Sequence, residues 1–340
     1  MNIVGVLAAG IDAPETMAIL AQNLGLPSVK PEIANLVHNK HLFRNKLEAW
    51  GYPGPRYKAV DNTNFGQLQE IINEIGFPLI VKNTDSSGSR GTKIFYEQNF
   101  IEIQNMVLEA ISVSKSNVSL IEECWEGPEQ TVETIYDIEG NFHPCFITDR
   151  IFDRSNGYAI ELGLRNPTNL PIEVQNEMFL IAKKISNDLG ITQGAAKFDM
   201  ILTKNGPRVI EMTVRLSGGF DCQYLVPAAS GKNVMRAAIL TALGEKFPAE
   251  LLEDTKHKTS LSESIWPEPG IITEIEGVEM ARKIPGVEYI FFRHKVGDTI
   301  QPYTDCTKRV CFIIVTGKDE NDAREIMVMV KSIIKIRTRN

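Results

Sequence analysis

The most constraining feature of the sequence is a pair of alternating segments joined by a turn, AAKFDMILTKNGPRVIEMTVRL. In the second segment Glu211, Thr213 and Arg215 alternate with apolar residues, and in the first segment Lys197 and Asp199 do the same. Successive side chains of a strand point to opposite faces. The pattern therefore predicts an antiparallel hairpin with one polar face and one apolar face.

The register of this hairpin decides which polar side chains face each other. A two-residue Asn205-Gly206 turn would pair Met200 with Glu211, whereas a loop of three or five residues would pair Asp199 with Glu211. We predict the odd-length loop because it lets the apolar side chains of both strands pack together. Those side chains are Phe198, Met200, Ile210 and Met212.

Facing carboxylates make this hairpin a candidate metal site. Asp199 and Glu211 would repel each other unless a cation lay between them, and the hydroxyl of Thr213 would lie alongside. Hard oxygen ligands suit Mg²⁺ (or Mn²⁺), which often takes one or two carboxylates and the phosphates of a substrate. The alternative is a solvated polar face of a sheet. Arg215, followed by the run Ser217–Gly219, favours a site because it places a cation beside backbone amides.

A small-residue loop, DSSGSRG, follows a strand-like run that ends at Lys82. A second strand-like run begins at Thr92. Such a loop either turns the chain or presents its amides to an anion. Its residues alone leave both interpretations open.

Acidic residues also cluster in the segment IEECWEGPE. Glu122, Glu123 and Glu126 flank Cys124 and Trp125, and a Gly-Pro pair then ends the strand. By itself the segment is typical of an edge strand with a charged end.

The remaining periodicity predicts a mixture of helices and strands, and hence an α+β chain. Helices are expected over 14–24, 39–50, 64–75, 98–114, 172–189, 231–243 and 320–335. Strands are expected in NIVGV, RYKAV, FPLIVK, TKIFY and VSLIEE, followed by a hairpin turning at residues 139–141 and then by the hairpin described above. The stretch ELGLRNP, which contains Arg165, is expected to be a loop.

Composition excludes several functions. The net charge of −7 argues against a nucleic-acid-binding surface, and no long apolar run indicates a membrane span or a signal peptide. The five cysteines form no CxxC pair, which indicates reduced thiols and a cytoplasmic location. Neither GxGxxG nor GxxxxGK[ST] occurs, so a nicotinamide-binding or Walker-type site is disfavoured.

Taken in order, these motifs resemble the ATP-grasp superfamily. The order is a lysine in NKHLFR, a strand ending in lysine before a Gly/Ser loop, EE with an aromatic residue and Gly-Pro, and a carboxylate hairpin ending in arginine. The chain looks most like the carboxylate–amine ligase branch, near L-amino-acid ligases and the carbamoyl-phosphate-synthase-like and biotin-carboxylase-like proteins. The likeness extends over essentially all of the chain from Gly5 onward.

The resemblance implies a role for each motif. The two lysines contact phosphates of ATP, the loop closes over them, the EECW main chain reads adenine and the glutamate after Gly-Pro contacts ribose. The implied ATP-binding residues are Lys40, Lys82, Ser86, Ser87, Gly88, Ser89, Arg90, Gly91, Glu122, Glu123, Cys124, Trp125 and Glu129. The implied metal ligands are Asp199, Glu211 and Thr213, the last at a position that is often Asn in the family. Arg215 and Lys82 are the implied catalytic residues.

The chemistry implied by the resemblance is ATP- and Mg²⁺-dependent ligation. A small-molecule carboxylate would become an acyl phosphate, and an amine or similar nucleophile would then displace phosphate. Neither nucleic acid nor membrane is an expected partner. The alternative is a non-catalytic or partner-dependent ATP-binding subunit.

The resemblance also implies a domain order. Residues 1–35 would be the remnant of a pre-ATP-grasp βα unit, 36–122 a linker helix and lid subdomain, 123–250 the catalytic subdomain with the metal hairpin, and 251–340 a small C-terminal α+β appendix. The lid and catalytic subdomains would together clasp ATP. Because the N-terminal unit looks truncated, we expect a homodimer or a partner chain to complete it.

Overall fold

A computed structural model describes residues 2–339, and its N-terminal part is helical. The helices are α1 (Pro14–Asn23), α2 (Pro31–His38) and α3 (Lys40–Ala49). The prediction of a strand in NIVGV was wrong. Residues 2–8 form no strand, because the only ladder contact of this described segment is made around Leu216, which bonds to the main chain of Ala8 and Gly10.

The next unit is a four-stranded antiparallel sheet covered by two helices. Its elements are β1 (Tyr57–Val60), α4 (Leu68–Ile75), β2 (Leu79–Asn83), β3 (Lys93–Phe95), α5 (Phe100–Val113) and β4 (Ser119–Glu123). The strand order is β1-β4-β2-β3. Helix α4 buries Leu68, Ile71, Ile72 and Ile75, whose spacing places them on one helical face. These side chains and those of α5 form the core of this unit, which we call the lid.

The rest of the chain is built mainly on one large sheet. Its strands and those of a smaller sheet are β5 (Glu129–Tyr136), β6 (Phe142–Asp153), β7 (Ile160–Asn166), β8 (Gly194–Thr203), β9 (Gly206–Thr213), β10 (Thr259–Glu263), β11 (Gly270–Glu276), β12 (Val287–Phe292), β13 (Thr299–Ile300), β14 (Cys311–Gly317) and β15 (Lys335–Arg339). The helices are α6 (Ile172–Asp188), α7 (Val226–Ser230), α8 (Val234–Ala242), α9 (Val278–Ala281) and α10 (Glu320–Ile333).

The large sheet joins the middle of the chain to its C-terminal part. Its order is β12-β14-β10-β7-β6-β5-β8-β9, and the smaller sheet has the order β13-β11-β15. Strands β10, β12 and β14 therefore extend the same sheet that carries the carboxylate hairpin, β8–β9. Strands β7, β6 and β5 lie between these C-terminal strands and the hairpin.

The hairpin β8–β9 has the predicted facing pair but not the predicted loop. Asp199 lies opposite Glu211, while the turn contains only two residues, between paired Thr203 and Gly206. A β-bulge at Ile210 shifts the register by one residue and restores the pairing.

The bulge also changes the apolar face of the hairpin. Val209 packs with Phe198, Met200 and Met212 in the core, in the place where Ile210 was expected. Ile210 instead lines the cleft described below.

The expected loop around Arg165 is strand β7. The segment contains Gly163, where a Cβ would lie 2.7 Å from the carbonyl oxygen of Ser262 on β10. Glycine is required here because two backbones approach closely, not because the chain turns. Among the helices of residues 2–339, none has both the length and the apolar character needed to span a membrane.

Candidate functional site

The motif residues line one cleft between the lid and the large sheet. The cleft has a volume of about 360 Å³. The predicted site residues that line it are Lys40, Lys82, Ser86, Ser87, Gly88, Ser89, Glu129, Asp199, Glu211 and Arg215. Residues on the C-terminal part also reach it, namely Arg293, Cys306, Thr307, Arg309 and Phe312.

The Gly/Ser loop between β2 and β3 covers one side of this cleft. Asn83 ties the loop together, because its Oδ1 accepts a hydrogen bond from Ser86 N at 2.6 Å and its Nδ2 donates to the carbonyl of Arg90. Gly88 and Ser89 both have positive φ, 71° and 61°. The carbonyl of Gly88 accepts from Cys306 N at 3.0 Å, so the loop contacts the C-terminal part of the chain.

Lys40 connects the loop to the carboxylate hairpin. Its Nζ donates to the carbonyl of Ser86 at 2.7 Å and lies 3.6 Å from Glu211 Oε2. Asn39 caps the start of α3 by accepting from Leu42 N, which fixes the first turn of the helix that carries Lys40. The lysine therefore lies where the covering loop and the hairpin meet.

A buried ion triad holds Lys82. The Glu122 carboxylate pairs with Lys82 Nζ through one oxygen, and its Oε1 accepts from Arg44 Nε at 3.0 Å. Burial would raise the pKa of Glu122, but the two cations hold it below its ordinary value. Burial lowers the pKa of Lys82, and Glu122 offsets part of that effect. The side chain of Glu122 is thus occupied in positioning a lysine.

Sequence analysis missed Arg44. This residue is only 3% exposed and also donates to the carbonyls of Val209 and Ile210, at 3.1 and 2.6 Å. A bulge leaves backbone groups outside the regular ladder, and the guanidinium satisfies them. One signal was available, because Lys40 and Arg44 are four residues apart and lie on one face of α3.

The carboxylate hairpin forms the opposite wall of the cleft. Asp199 Oδ2 lies 2.5 Å from Lys197 Nζ and 3.0 Å from a guanidinium nitrogen of Arg150, while Oδ1 accepts from Thr131 at 3.0 Å. Burial would raise the pKa of Glu211, but Lys40 and Lys197 hold it well below its ordinary range. Glu211 is therefore kept ionised at neutral pH.

The donor set at this wall fits a divalent cation that shares its coordination with phosphates. Asp199 and Glu211 lie opposite each other in the hairpin, and Mg²⁺ commonly takes only one or two carboxylates in such sites. No cluster of three or more potential metal ligands (His, Cys, Asp or Glu) occurs within residues 2–339. Thr213 pairs with Lys197 in the ladder and is not part of the cleft lining.

A second ion network, which sequence analysis did not predict, flanks the hairpin. The Glu161 carboxylate pairs with Arg150 Nε at 2.9 Å and with a guanidinium nitrogen of Arg309 at 3.0 Å. Burial would raise the pKa of Glu161, but these two arginines lower it to about 2. Glu129 pairs with Arg150 at 3.5 Å and with Arg154. Because Arg309 is on the C-terminal part, this network fastens that part to the cleft.

The segment after β4 borders a smaller, largely apolar pocket. The amide of Glu123 donates to Arg56 O and that of Cys124 to Pro78 O, both at 2.9 Å. Proline has no amide hydrogen, so the carbonyl of Cys124 receives no hydrogen bond in return from Pro78. Trp125 and Glu129 also line this pocket, together with Ile80, Ile94, Ile201 and Ile210. The pocket thus has apolar walls and an available main-chain acceptor.

The far end of the cleft carries charges that are less well partnered. Arg215 donates to the carbonyl of Leu216 at 2.9 Å, but its Nε is buried without a partner. Glu133 lies nearby but does not line the cleft. It accepts from Ser217 N at 2.8 Å through one oxygen, while the other has no partner, and burial raises its pKa to about 7. Burial also raises the pKa of Asp221 to about 8.

Two polar residues of the large sheet, His143 on β6 and Arg165 on β7, do not line the cleft. His143 contacts Asp137 at 2.8 Å, and Arg165 pairs with Asp149 and with Glu320. Arg150, in contrast, lines the cleft. Arg90 points elsewhere as well, since its guanidinium lies 3.5 Å from Asp12.

The sequence matches two protein families. Residues 39–250, more than half of the chain, match the family described as carbamoyl-phosphate synthase L chain, ATP binding domain. Residues 264–339 match L-amino acid ligase C-terminal domain 2. The two matches fall on the cleft-forming units and on the C-terminal part, respectively.

Individual relatives agree with these families. The chain is 26% identical over 338 residues to the uncharacterized protein y4rH of Sinorhizobium fredii, covering 96% of this chain and 66% of that protein. It is 26% identical over 245 residues to human carnosine synthase 1, covering 67% of this chain and 29% of that protein. The chain therefore spans less than two thirds of the length of either relative.

The fold is also found in solved structures. The L-amino acid ligase from Bacillus licheniformis superposes with a TM-score of 0.85 at 22% identity, covering 100% of this chain and 82% of the ligase. At this identity the likeness establishes the fold alone. Together with the family match over residues 39–250, it identifies the chain as a member of the ATP-grasp family of carboxylate–amine ligases.

Proposed function

We propose that the protein is an ATP- and Mg²⁺-dependent ligase that activates a substrate carboxylate as an acyl phosphate for attack by an amine. The observation that carries this proposal is the position of Lys40 between the covering loop and the carboxylate hairpin, with Lys82 in the same cleft. Cations, loop amides and ionised carboxylates are the groups that hold a nucleotide's phosphates and their metal ion. Similarity to proteins named L-amino acid ligase and carnosine synthase supports the acid–amine type of reaction.

Each group of the cleft has a role in this proposal. Lys40 and Lys82 would neutralise phosphate oxygens, with Lys82 held in place by Glu122. The loop 86–91 would cover the phosphates and exclude water from the acyl phosphate. Asp199 and Glu211 would hold Mg²⁺, which when bound would neutralise charge on the transferred phosphoryl group.

Nucleotide binding would use the smaller pocket. Its isoleucines offer apolar walls for a purine ring, and the carbonyl of Cys124 offers an acceptor for an exocyclic amine. Glu123 and Trp125 would border the ring, and Glu129 would contact the ribose. The Glu122 side chain would not contact the nucleotide; it would position Lys82.

The reaction would proceed in two displacement steps. First, a carboxylate oxygen of the substrate attacks the γ-phosphorus of ATP, and the bond to the leaving ADP oxygen breaks. The amine nitrogen then attacks the carbonyl carbon, the carbon–oxygen bond breaks, phosphate leaves and the nitrogen loses a proton. Arg215 would stabilise the negative charge of the reacting carboxyl group. The catalytic contribution of the chain would be positioning and electrostatic stabilisation.

Measuring Mg²⁺-dependent ADP release in the presence of candidate carboxylates and amines tests this function. We expect Lys82→Ala and Glu211→Gln each to lower turnover by about 100-fold or more, because each removes a charge that acts on the transferred phosphoryl group. Both variants should keep the wild-type circular dichroism spectrum, since Arg44 still neutralises Glu122 in the first of them. Full activity in either variant would contradict the assignment of the site.

The same assay separates the proposal from a non-catalytic, partner-dependent ATP-binding subunit. That alternative predicts tight ATP binding by calorimetry with no ADP release at any carboxylate or amine tested. It also predicts that turnover appears only with a partner chain. We favour the ligase because both carboxylates and both lysines of the cleft are present.

A further inference from the structure

Arg44 joins the lid to the carboxylate hairpin through a buried guanidinium group. One edge of this group faces Glu122 on β4, with Nε 3.0 Å and a terminal nitrogen 3.4 Å from the two carboxylate oxygens. The other edge donates to the carbonyls of Val209 and Ile210 on β9, at 3.1 and 2.6 Å. The side chain is only 3% exposed. Its donors are therefore used within the chain.

The carbonyls that Arg44 holds belong to the bulge that sets the pairing of the two metal carboxylates. From the turn up to the pair Met200–Val209 the hairpin keeps one register, which would place Asp199 opposite Ile210 if it continued. Glu211 would then lie on the apolar face of the hairpin. The bulge adds one residue to β9, so Glu211 lies opposite Asp199 instead. The pairing of the two carboxylates therefore depends on the bulge.

Arginine is suited to holding this bulge, and lysine is not. A bulge leaves carbonyls outside the regular ladder, and a buried carbonyl without a donor is costly. A planar guanidinium can donate to two carbonyls and a carboxylate at once, whereas an ammonium group is a point charge on a flexible stem. Either residue would neutralise Glu122, but arginine can also bond to both carbonyls of the bulge.

Helix α3 fixes Arg44 relative to the cleft. The helix begins at Lys40, whose amide donates to Thr84 O at 2.7 Å and whose Nζ lies 3.6 Å from Glu211 Oε2. Arg44 follows one turn later on the same face of the helix. The two cations of this helix therefore reach the same strand, β9, one at its metal carboxylate and the other at the bulge before it.

We propose that Arg44 is a positioning residue for the metal ion of the cleft. It holds the bulge that turns Glu211 towards Asp199, and through Glu122 it ties that bulge to Lys82. The ion concerned is a divalent cation bound together with a nucleoside triphosphate. Arg44 contacts neither of them; it keeps the metal carboxylate and the phosphate-binding lysine at a fixed separation. This inference rests on the proposed function, because it needs a metal at the carboxylate hairpin.

Calorimetric titration without turnover tests the inference. A non-hydrolysable ATP analogue is titrated into the protein with Mg²⁺ and again with EDTA, and the ratio of the two dissociation constants gives the enhancement of binding by the metal. The affinity of Mg²⁺ for the analogue in solution is common to all variants. We expect Arg44→Lys to lower the enhancement roughly tenfold or more, because groups that orient a metal ligand commonly contribute this much to metal affinity.

A double-variant cycle shows whether Arg44 acts through Glu211. Glu211→Gln removes one metal carboxylate and should lower the enhancement at least as much as Arg44→Lys does. If Arg44 acts by placing Glu211, the double variant should have the enhancement of Glu211→Gln alone. A merely structural role of Arg44 predicts independent losses that multiply in the double variant, and that result would overturn the inference.

A matched control is Arg56→Lys, the same change at an exposed arginine that pairs with the neighbouring glutamate, Glu123. It should keep the wild-type enhancement. Thermal unfolding checks that each variant is folded, and Arg44→Gln, which can still donate to one carbonyl, replaces Arg44→Lys if the lysine variant is not. If neither folds where Arg56→Lys does, Arg44 supports the fold as a whole and the inference is overturned.

The result is distinguishable from failure of the proposed function. A lower enhancement in Arg44→Lys, with no ADP release by the wild type under any condition, would overturn the ligase proposal alone. Mg²⁺-dependent ADP release by the wild type, with an unchanged enhancement in Arg44→Lys, would overturn the role of Arg44 alone. A wild type that binds the analogue equally well with Mg²⁺ and with EDTA would also overturn that role.

Discussion

The two ends of the cleft differ in how completely their buried charged groups are paired within the chain. At the lid end, Glu122 is neutralised by both Lys82 and Arg44, and Asp85 accepts from the amides of Lys115 and Ser116, both at 2.8 Å. At the far end, buried atoms of Arg215 and Asp221, which line the cleft, have no partner.

The difference separates groups that build the site from groups that face a ligand. A buried charge with all its partners inside the chain fixes the geometry of its neighbours, here the position of Lys82. A buried charge without a partner lowers the stability of the chain, and a bound ligand can offset that cost. Under the proposed function, we expect the lid end to be organised before binding and the far end to be completed by binding.

Removing a partner at the lid end should have the largest effect on stability. Glu122→Ala leaves two buried cations without their shared carboxylate, and we expect the free energy of unfolding to fall by about 3–5 kcal/mol. Urea unfolding measures the change, and ATP binding should weaken in parallel because Lys82 loses its anchor. An unchanged unfolding midpoint would mean that the triad does not organise this end of the cleft.

Removing the carboxyl group of Asp221 at the far end should raise the free energy of unfolding, not lower it, and the size of this effect should depend on pH. Burial raises the pKa of Asp221 from 3.8 to about 8, so between these values the folded chain keeps a proton that the unfolded chain has lost. Stability contributed by this group is therefore complete at low pH and is lost as pH rises towards 8.

Asp221→Asn removes this loss. At pH 8 the variant should be more stable than the wild type, by an amount on the order of a few kcal/mol, and near pH 4 the two should coincide. Thermal unfolding of both proteins across this range measures the difference. A variant less stable than the wild type at pH 8 would show that Asp221 has a partner inside the chain. Glu133, with a pKa raised to about 7, adds a slope of the same sign in both proteins.

The smallest effect is expected next to the triad but outside it. Glu123 lies 3.3 Å from Arg56, and this pair is exposed. We expect Glu123→Ala to change the free energy of unfolding by less than about 1 kcal/mol, because water screens the pair. Measured beside Glu122→Ala, it tests whether burial, and not glutamate itself, gives the triad its importance. Equal losses in the two variants would contradict that view.

Local pattern was sufficient for much of the fold. The helical spacing in α4 and α5 and the alternation in β8 and β9 are properties of neighbouring residues, and the expected elements were found there. The pairing of Asp199 with Glu211 was also predicted, but from a loop of the wrong length. The bulge that produces this pairing was not predicted, because it depends on Arg44, which is far away in the sequence and satisfies the carbonyls of Val209 and Ile210.

Long-range contacts account for the features that the sequence did not reveal. Gly163 indicates a loop until β10 is known to approach it within a strand pair. Arg309 and Cys306 are distant from the hairpin in the sequence but line the same cleft. Arg309 pairs there with Glu161 on β7, and Cys306 N donates to the carbonyl of Gly88 in the Gly/Ser loop. Asp221 follows a Gly-Gly run that is typical of a loop, but it begins a π-helical turn and is only 2% exposed.

Oxygen labelling tests most directly whether the cleft transfers the γ-phosphoryl group of ATP to a substrate carboxylate. A substrate labelled with ¹⁸O in its carboxylate is incubated with ATP, Mg²⁺ and an amine, and the released phosphate is analysed by mass spectrometry. The proposed function predicts ADP as the nucleotide product and one ¹⁸O atom in each phosphate formed with the product. Unlabelled phosphate, or label found in AMP, would contradict it.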